Sequence, residues 1–330
     1  MSARRKLLSV TSLAAFALLF APPAHAADGQ GDVFTDPAKA GADYVAQGEY
    51  QGKVGEDEQK IGAQVIALGD GKFRGVFYIG GLPGDGWTRD DKKVETDGKA
   101  EGDEVKFTHD NKSAVLKGGK ISLIHEDGKV VGTLEKVERK SPTLGAKPPE
   151  GAKVLFAKAG DEKNWEGGRV TEDGLLRVGV KTKDKFADCK IHIEFRTPFQ
   201  PKAGGQGRGN SGVYIDNRYE LQVLDSFGLS GENNECGGFY QIKEPAVNMC
   251  YPPLAWQTYD IDFTAAKYEG DKKVKNARVT VKHNGVTIHD DLELPRATPG
   301  GIGEGPEPAA LFFQDHGNPV VYRNVWIVEK

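Results

Sequence analysis

The chain has 330 residues, 38% of them hydrophobic and 28% charged, with 43 glycines and 17 prolines. That is enough apolar material for a sizeable core and too much for wholesale disorder, while the glycine content favours many turns between short strands over long helices. The formal charge is −4, and −7 without the basic residues Arg4, Arg5 and Lys6, which argues against a nucleic-acid partner. Arg4, Arg5 and Lys6 precede an apolar run from Leu13 to Phe20 and the small-residue stretch Ala24-His25-Ala26. This pattern predicts a secretory signal peptide over 1–26, a mature chain starting near Ala27, and an exported (periplasmic or extracellular) protein. No later segment reaches the ~20 apolar residues of a transmembrane helix.

From Ala27 to about Lys140, short alternating runs are punctuated by Asp70-Gly71, Asp97-Gly98 and Asp127-Gly128. Asp-Gly pairs between such runs are hairpin signals, so 27–140 is predicted to be a small antiparallel β module. Within it, the glycine-rich stretch Gly80 to Trp87 reads as a turn carrying an exposed Trp. Ser141 to Pro149 holds three prolines and no hydrophobic period, and 141–150 is expected to link two independently folded domains. Beyond it, runs such as Cys189 to Arg196, Tyr219 to Leu224, Trp256 to Thr264, Ala277 to His283 and Val320 to Val328 alternate at period two. Many strands without a convincing amphipathic helix make 151–330 a sandwich or jelly roll. Asn284-Gly285 is the strongest hairpin signal in the chain.

The densest polar pattern is Gly209-Asn210-Ser211-Gly212-Val213-Tyr214 followed by Tyr219-Glu220-Leu221-Gln222-Val223-Leu224-Asp225. On a strand, Glu220 and Gln222 share one face while Leu221 and Val223 take the other. A rigid strand bearing a carboxylate beside tyrosines suits a sugar-binding concavity, whereas the bland reading makes Glu220 and Gln222 the wet face of an amphipathic strand. A second cluster, Gln314-Asp315-His316-Gly317-Asn318, offers His316 as an acid or base with Asp315 to orient it; a lone loop histidine is otherwise a structural hydrogen-bonder. Tyr240 and Lys243 lie in a loop bracketed by Cys236 and Cys250, whose spacing predicts a disulfide in an oxidising compartment. Cys189, inside an apolar run, reads as a buried thiol. Arg208 precedes Asn210 and is either a clamp on a substrate oxygen or a solvated loop charge.

In series, Gly209 to Tyr214, Tyr219 to Ser226, Trp256 to Asp260, Val281 to Val286 and Leu311 to Val320 resemble the 3-keto-disaccharide hydrolase family, also described as 3-keto-glucoside lyase/hydratase, over about 152–328. The resemblance implies an all-β, concanavalin A-like jelly roll, preceded here by the unassigned β module. It implies glycosidic cleavage of 3-keto-glycosides by C2 deprotonation, elimination and hydration, with net hydrolysis. Glu220, His316 and Asp225 are then the expected catalytic residues, and Asn210, Gln222, Tyr214, Arg208, Tyr240, Lys243 and Gln314 the expected substrate contacts. No organic cofactor is implied, since a separate glycoside 3-oxidoreductase upstream makes the ketone. A divalent cation on Glu220, Asp225 and His316 is left open. The rival classes are a non-catalytic, lectin-like module and an ordinary two-carboxylate glycosidase.

Overall fold

A computed structural model describes residues 31–330. The signal segment expected over 1–26 lies outside the described residues. The described chain is almost wholly β, as expected, and no helix in it is long and apolar enough to cross a membrane.

The first module is a closed eight-stranded meander: β1 (Gly48–Val54), β2 (Gln59–Gly69), β3 (Lys72–Ile79), β4 (Lys93–Glu101), β5 (Glu104–His109), β6 (Lys112–Lys117), β7 (Lys120–Ile124) and β8 (Val130–Val137), closed by β1 on β8. Asp70 and Gly71 both take positive φ in the β2–β3 turn, as their pairing predicted. Asp97-Gly98 does not turn; it lies inside β4, and the chain reverses after Glu101. The reason is packing: a Cβ on Gly98 would fall 2.3 Å from the Phe107 ring, so the glycine makes room for an aromatic instead of bending the chain. Trp87 is buried, with its ring edge-on to Tyr78 at 4.9 Å, and is not the exposed turn residue expected.

The second module is a sandwich. Its larger sheet runs β9 (Lys153–Phe156), β20 (Val321–Glu329), β13 (Cys189–Arg196), β16 (Gln257–Thr264), β17 (Ala277–His283), β18 (Val286–Leu294), with β11 (Leu176–Arg177) also on β20. Its five-stranded sheet runs β10 (Trp165–Glu166), β12 (Val180–Thr182), β19 (Phe312–Phe313), β14 (Ser211–Ile215), β15 (Tyr219–Val223). Asn284 and Gly285, both at positive φ, join β17 to β18 as the sequence predicts. Alternation sends Val213, Ile215, Leu221, Val223 and Phe313 into the core against Ile191, Ile193, Tyr259 and Ile261 of the larger sheet. The complementary positions form the outer face of the five-stranded sheet.

The two modules are not independent. Ile66, Val76 and Tyr78, on the outer side of β2 and β3, belong to the sandwich core, which is why those strands are buried on both faces. Arg139 grips Glu49 through two nitrogens, at 2.7 and 2.6 Å, and lies over the Tyr251 ring. The segment 141–150 is no free tether. The Ser141 hydroxyl meets that of Thr258 at 2.6 Å, Thr143 donates to Asp260 at 2.6 Å, and the Gly145 N–H donates to Glu194 at 2.5 Å. Proline stiffness here serves a strap docked along the larger sheet.

Candidate active site

The register of the five-stranded sheet lines up Glu166, Lys181, Phe312, Tyr214 and Glu220 across its outer face. One pleat further along, Gly212 sits opposite Gln222, and the Gln314 N–H donates to the Gly212 carbonyl. Glu220 is the buried carboxyl of this face. It is 3% exposed, and its carboxylate accepts from the Tyr214 hydroxyl at 2.9 Å. Burial pushes its pKa up to about 7 against the opposing pull of that hydrogen bond. A carboxyl group poised there exchanges a proton readily near neutrality.

The surroundings fix this group without neutralising it. The Glu220 N–H donates to the Thr298 hydroxyl at 2.8 Å, and its carbonyl accepts from the Tyr240 N–H at 3.1 Å. A Cβ on Gly212 would come within 2.4 Å of Glu220 Oε1, so glycine there lets the carboxylate lie against the sheet. The Tyr214 hydroxyl shares its one proton between Glu220 and the Pro299 carbonyl, 2.8 Å away, and its oxygen accepts from Gln314 Nε2 at 3.3 Å. The Gln314 Oε1 atom is buried without a donor, as is Asn210 Oδ1. The Gln314 oxygen lies on the Glu220 side, since both it and Glu220 Oε1 border the space a Cβ on Gly212 would take. Gln206 links the far end of the cluster, accepting from Gln222 Nε2 at 3.1 Å and, through its carbonyl, from Asn210 Nδ2 at 2.7 Å. An open cavity of about 500 Å³ adjoins the Tyr214 side, lined by Glu166, Lys181, Asn217, Gly300 and Phe312.

The structure therefore brings together Glu220, Tyr214, Gln222, Asn210 and Gln314, with the half-buried Tyr240 at the edge. Other expected residues are placed elsewhere. Asp225 is locked in a buried ion pair with Arg208 at 2.7 Å, and Arg208 also donates to the carbonyls of Ala67 and Pro201. The pair fastens the sandwich to the barrel, and among the described residues no hydrogen bond joins Asp225 to Glu220. Lys243 is exposed and paired with Glu244 at 2.6 Å. His316 stands on an exposed turn with its pKa lowered by partial desolvation. Asp315 does not orient it, because that carboxylate engages Arg169 at 3.3 Å and the Gly317 N–H at 2.8 Å. Glu220, Asp225 and His316 are accordingly not gathered as a ligand set, and no cluster of three or more such donors occurs among the described residues.

The expected Cys236–Cys250 bond is not formed either: all three cysteines are free and buried. The two thiols are hydrogen-bonded neighbours, with Cys236 Sγ 3.2 Å from the Tyr259 hydroxyl and Cys250 Sγ 3.5 Å from the Leu224 carbonyl. Sequence reasoning missed Gln206 and Thr298, which lie in loops without pattern. It also passed over Phe312 and Lys181, although their alternation with Phe313 and Val180 marks an outward face.

Residues 151–328 match the model of the 3-keto-alpha-glucoside-1,2-lyase-like domain. Among solved structures, a protein of Parabacteroides distasonis provisionally named a glycosyl hydrolase is 31% identical, with a TM-score of 0.50 over 55% of this chain and 85% of that one. A second from the same organism with the same provisional name is 20% identical, with a TM-score of 0.38 over 54% of this chain and 99% of that one. No curated protein matches the chain.

Proposed function

Because the chain belongs to the 3-keto-alpha-glucoside-1,2-lyase-like domain family, and is thus a carbohydrate-active enzyme of hydrolase type, we propose that it cleaves 3-keto-glycosides by elimination and rehydration. The observation that supports this reading best is the solitary, near-neutral Glu220. A two-carboxylate glycosidase needs a second acid facing the same bond, roughly 5–10 Å away. Here Asp225 is spent on Arg208, and Glu166 lies four strands along the row in an ion pair with Lys181.

A C3 ketone acidifies the hydrogen on C2. Glu220 takes that proton, and the C2–H electron pair moves into an enolate over C2, C3 and the ketone oxygen. Collapse of the enolate restores the ketone, forms the C1–C2 double bond and breaks the C1–oxygen bond. The departing oxygen takes a proton, and the protonated Glu220 is the group placed to give it. Water then adds its oxygen to C1 and a proton to C2, giving the free 3-keto sugar. Tyr240 and Gln314, which keep partial exposure at this face, hold sugar hydroxyls and so orient C2 toward Glu220. The substrate's ketone requires an oxidoreductase acting earlier on the parent glycoside. The basic and apolar start of the chain supports export to the compartment where such glycosides are met.

The test uses 3-keto-glycosides and their unoxidised parents, with and without chelator. Substrate deuterated at C2 should show a primary isotope effect or lose label to solvent, and the parents should not turn over. Turnover of the parents at equal rates, with the label retained, would refute elimination. His316→Ala separates the acid assignments: a drop as large as that of Glu220→Gln would move leaving-group protonation to the exposed imidazole.

A further inference from the structure

The barrel lies outside the family match, and the proposed reaction uses none of its interior. Opposed residues in a β ladder project to the same face, so the register identifies the inward set. Phe77 faces Ala63 and Val94; Phe107 faces Gly98 and Ala114; Leu123 faces Ala114. At one level of the barrel Tyr50, Val65, Phe73, Leu116, Ile121 and Leu134 fill the space and are buried. The Phe107 ring, admitted by Gly75 and Gly98, forms a floor over this plug. Beyond the floor the filling stops. A cavity of about 460 Å³ opens, walled by Val54, Ile61, Phe77, Ile79, Val94 and Leu123, and every residue lining it belongs to the barrel.

Eight strands enclose a space that side chains just fill, or that holds one small ligand. This barrel does the first at its plugged level and leaves room for the second at its mouth. Apolar walls are better covered than wet, and the volume falls within the range of small-molecule pockets. The rim adds a preference of charge. His109 and Lys112 oppose each other in register, His125 joins them, and the lining contains one acid, Asp110. The Lys112 ammonium pairs with no carboxylate among the described residues, whereas Asp110 lies 3.7 Å from His109.

We propose that the barrel mouth is a second binding site, for a small amphipathic carboxylate whose apolar body lies against Phe77, Val94 and Leu123 and whose head group meets Lys112. The site is independent of the glycoside reaction.

Calorimetric titration of the full mature chain with decanoate, decanol and decyltrimethylammonium tests it. One saturable site is expected, with decanoate bound about two- to fivefold more tightly than decanol, the worth of one exposed charge contact, and the cationic amphiphile weakest. Ala114→Trp should weaken both decanoate and decanol at least about tenfold by filling the cavity. Lys112→Gln, a surface change, should erase the preference for decanoate and leave decanol binding unaltered. Absence of saturable decanoate binding, more than one equivalent bound, equal affinity for all three head groups, or indifference to Lys112→Gln would each overturn the proposal.

Discussion

The Tyr214 hydroxyl donates to the Glu220 carboxylate at 2.9 Å across adjacent strands, and it is the one side-chain hydrogen bond that this carboxylate receives among the described residues. Burial raises the pKa of Glu220 and the tyrosine lowers it, leaving the group near 7. If Glu220 is the base, kcat/KM should rise with pH through an apparent pKa near 7, because the ionised form is the active one. Tyr214→Phe removes the lowering contact, so this limb should move to higher pH. A limb that stays or moves to lower pH would show that Tyr214 does not tune the base. Glu220→Gln should cost about 100-fold or more in turnover with the fold intact by circular dichroism, the usual scale of general base catalysis.

Gly212 supplies a second, sharper test. A Cβ there would meet Glu220 Oε1 at 2.4 Å, and the backbone of β14 cannot retreat without disturbing its pairing with β15 and β19. Gly212→Ala should therefore displace the carboxylate and lower kcat by at least about tenfold, while thermal stability falls by no more than about 1–3 kcal/mol. A variant with unchanged kcat would mean that the position of Glu220 relative to the sheet is unimportant.

The sandwich, and the placing of Glu220 and Gln222 on one face of it, were legible because both follow from period two. Leu221 and Val223 had to go inward, which left Glu220 and Gln222 together on the outer face. Chemistry that depends on distant chain was not legible. Asp225 looks like a third member of the strand until the barrel brings the Ala67 carbonyl to Arg208 and fixes the ion pair. Closure of the barrel rests on pairs such as Glu49 with Val137, which no local pattern announces. The 141–150 segment misled for a related reason: its partners, Glu194, Thr258 and Asp260, are polar groups on strands whose alternation reads simply as wet.

The cysteines carry a prediction about reactivity. All three are buried; burial pushes the Cys189 thiol up to about 12 and Cys250 well above its ordinary value, whereas at Cys236 burial is outweighed by the hydrogen bonds with Cys250 and Tyr259, which lower it. Reagents need access as well as a thiolate, so native protein at pH 8 should take up no maleimide or iodoacetamide, whereas protein unfolded in guanidinium should take up three equivalents. Labelling of the folded protein at Cys236 or Cys250 would show that the Tyr240 loop opens on the timescale of the reaction.

The strap predicts what happens when the family domain is cut free. A chain beginning at residue 151 loses the barrel, whose Ile66, Val76 and Tyr78 lie in the sandwich core, and also loses the Gly145 N–H on Glu194. Glu194 is buried, yet against its own desolvation the nearby His192 imidazole, 3.7 Å away, and the hydrogen bonds from Asn324, Gly145 and Arg323 hold its pKa down to about 2. A carboxylate depressed on folding stabilises the native state above its ordinary pKa, and that contribution fades as the pH falls toward the depressed value. Stripping one donor raises the folded pKa toward the ordinary one, so the contribution shrinks at neutral pH and its loss, which begins at the ordinary pKa in both chains, is complete at a higher pH. The truncated chain should therefore melt well below the full chain at pH 7, and its acid unfolding midpoint should move up. Glu194→Gln in the full chain isolates the electrostatic part, since it keeps the barrel and flattens the pH dependence between about 5 and 2. A truncated domain with the melting temperature and acid midpoint of the full chain would show that neither the strap nor the shared core contributes to the stability of the sandwich.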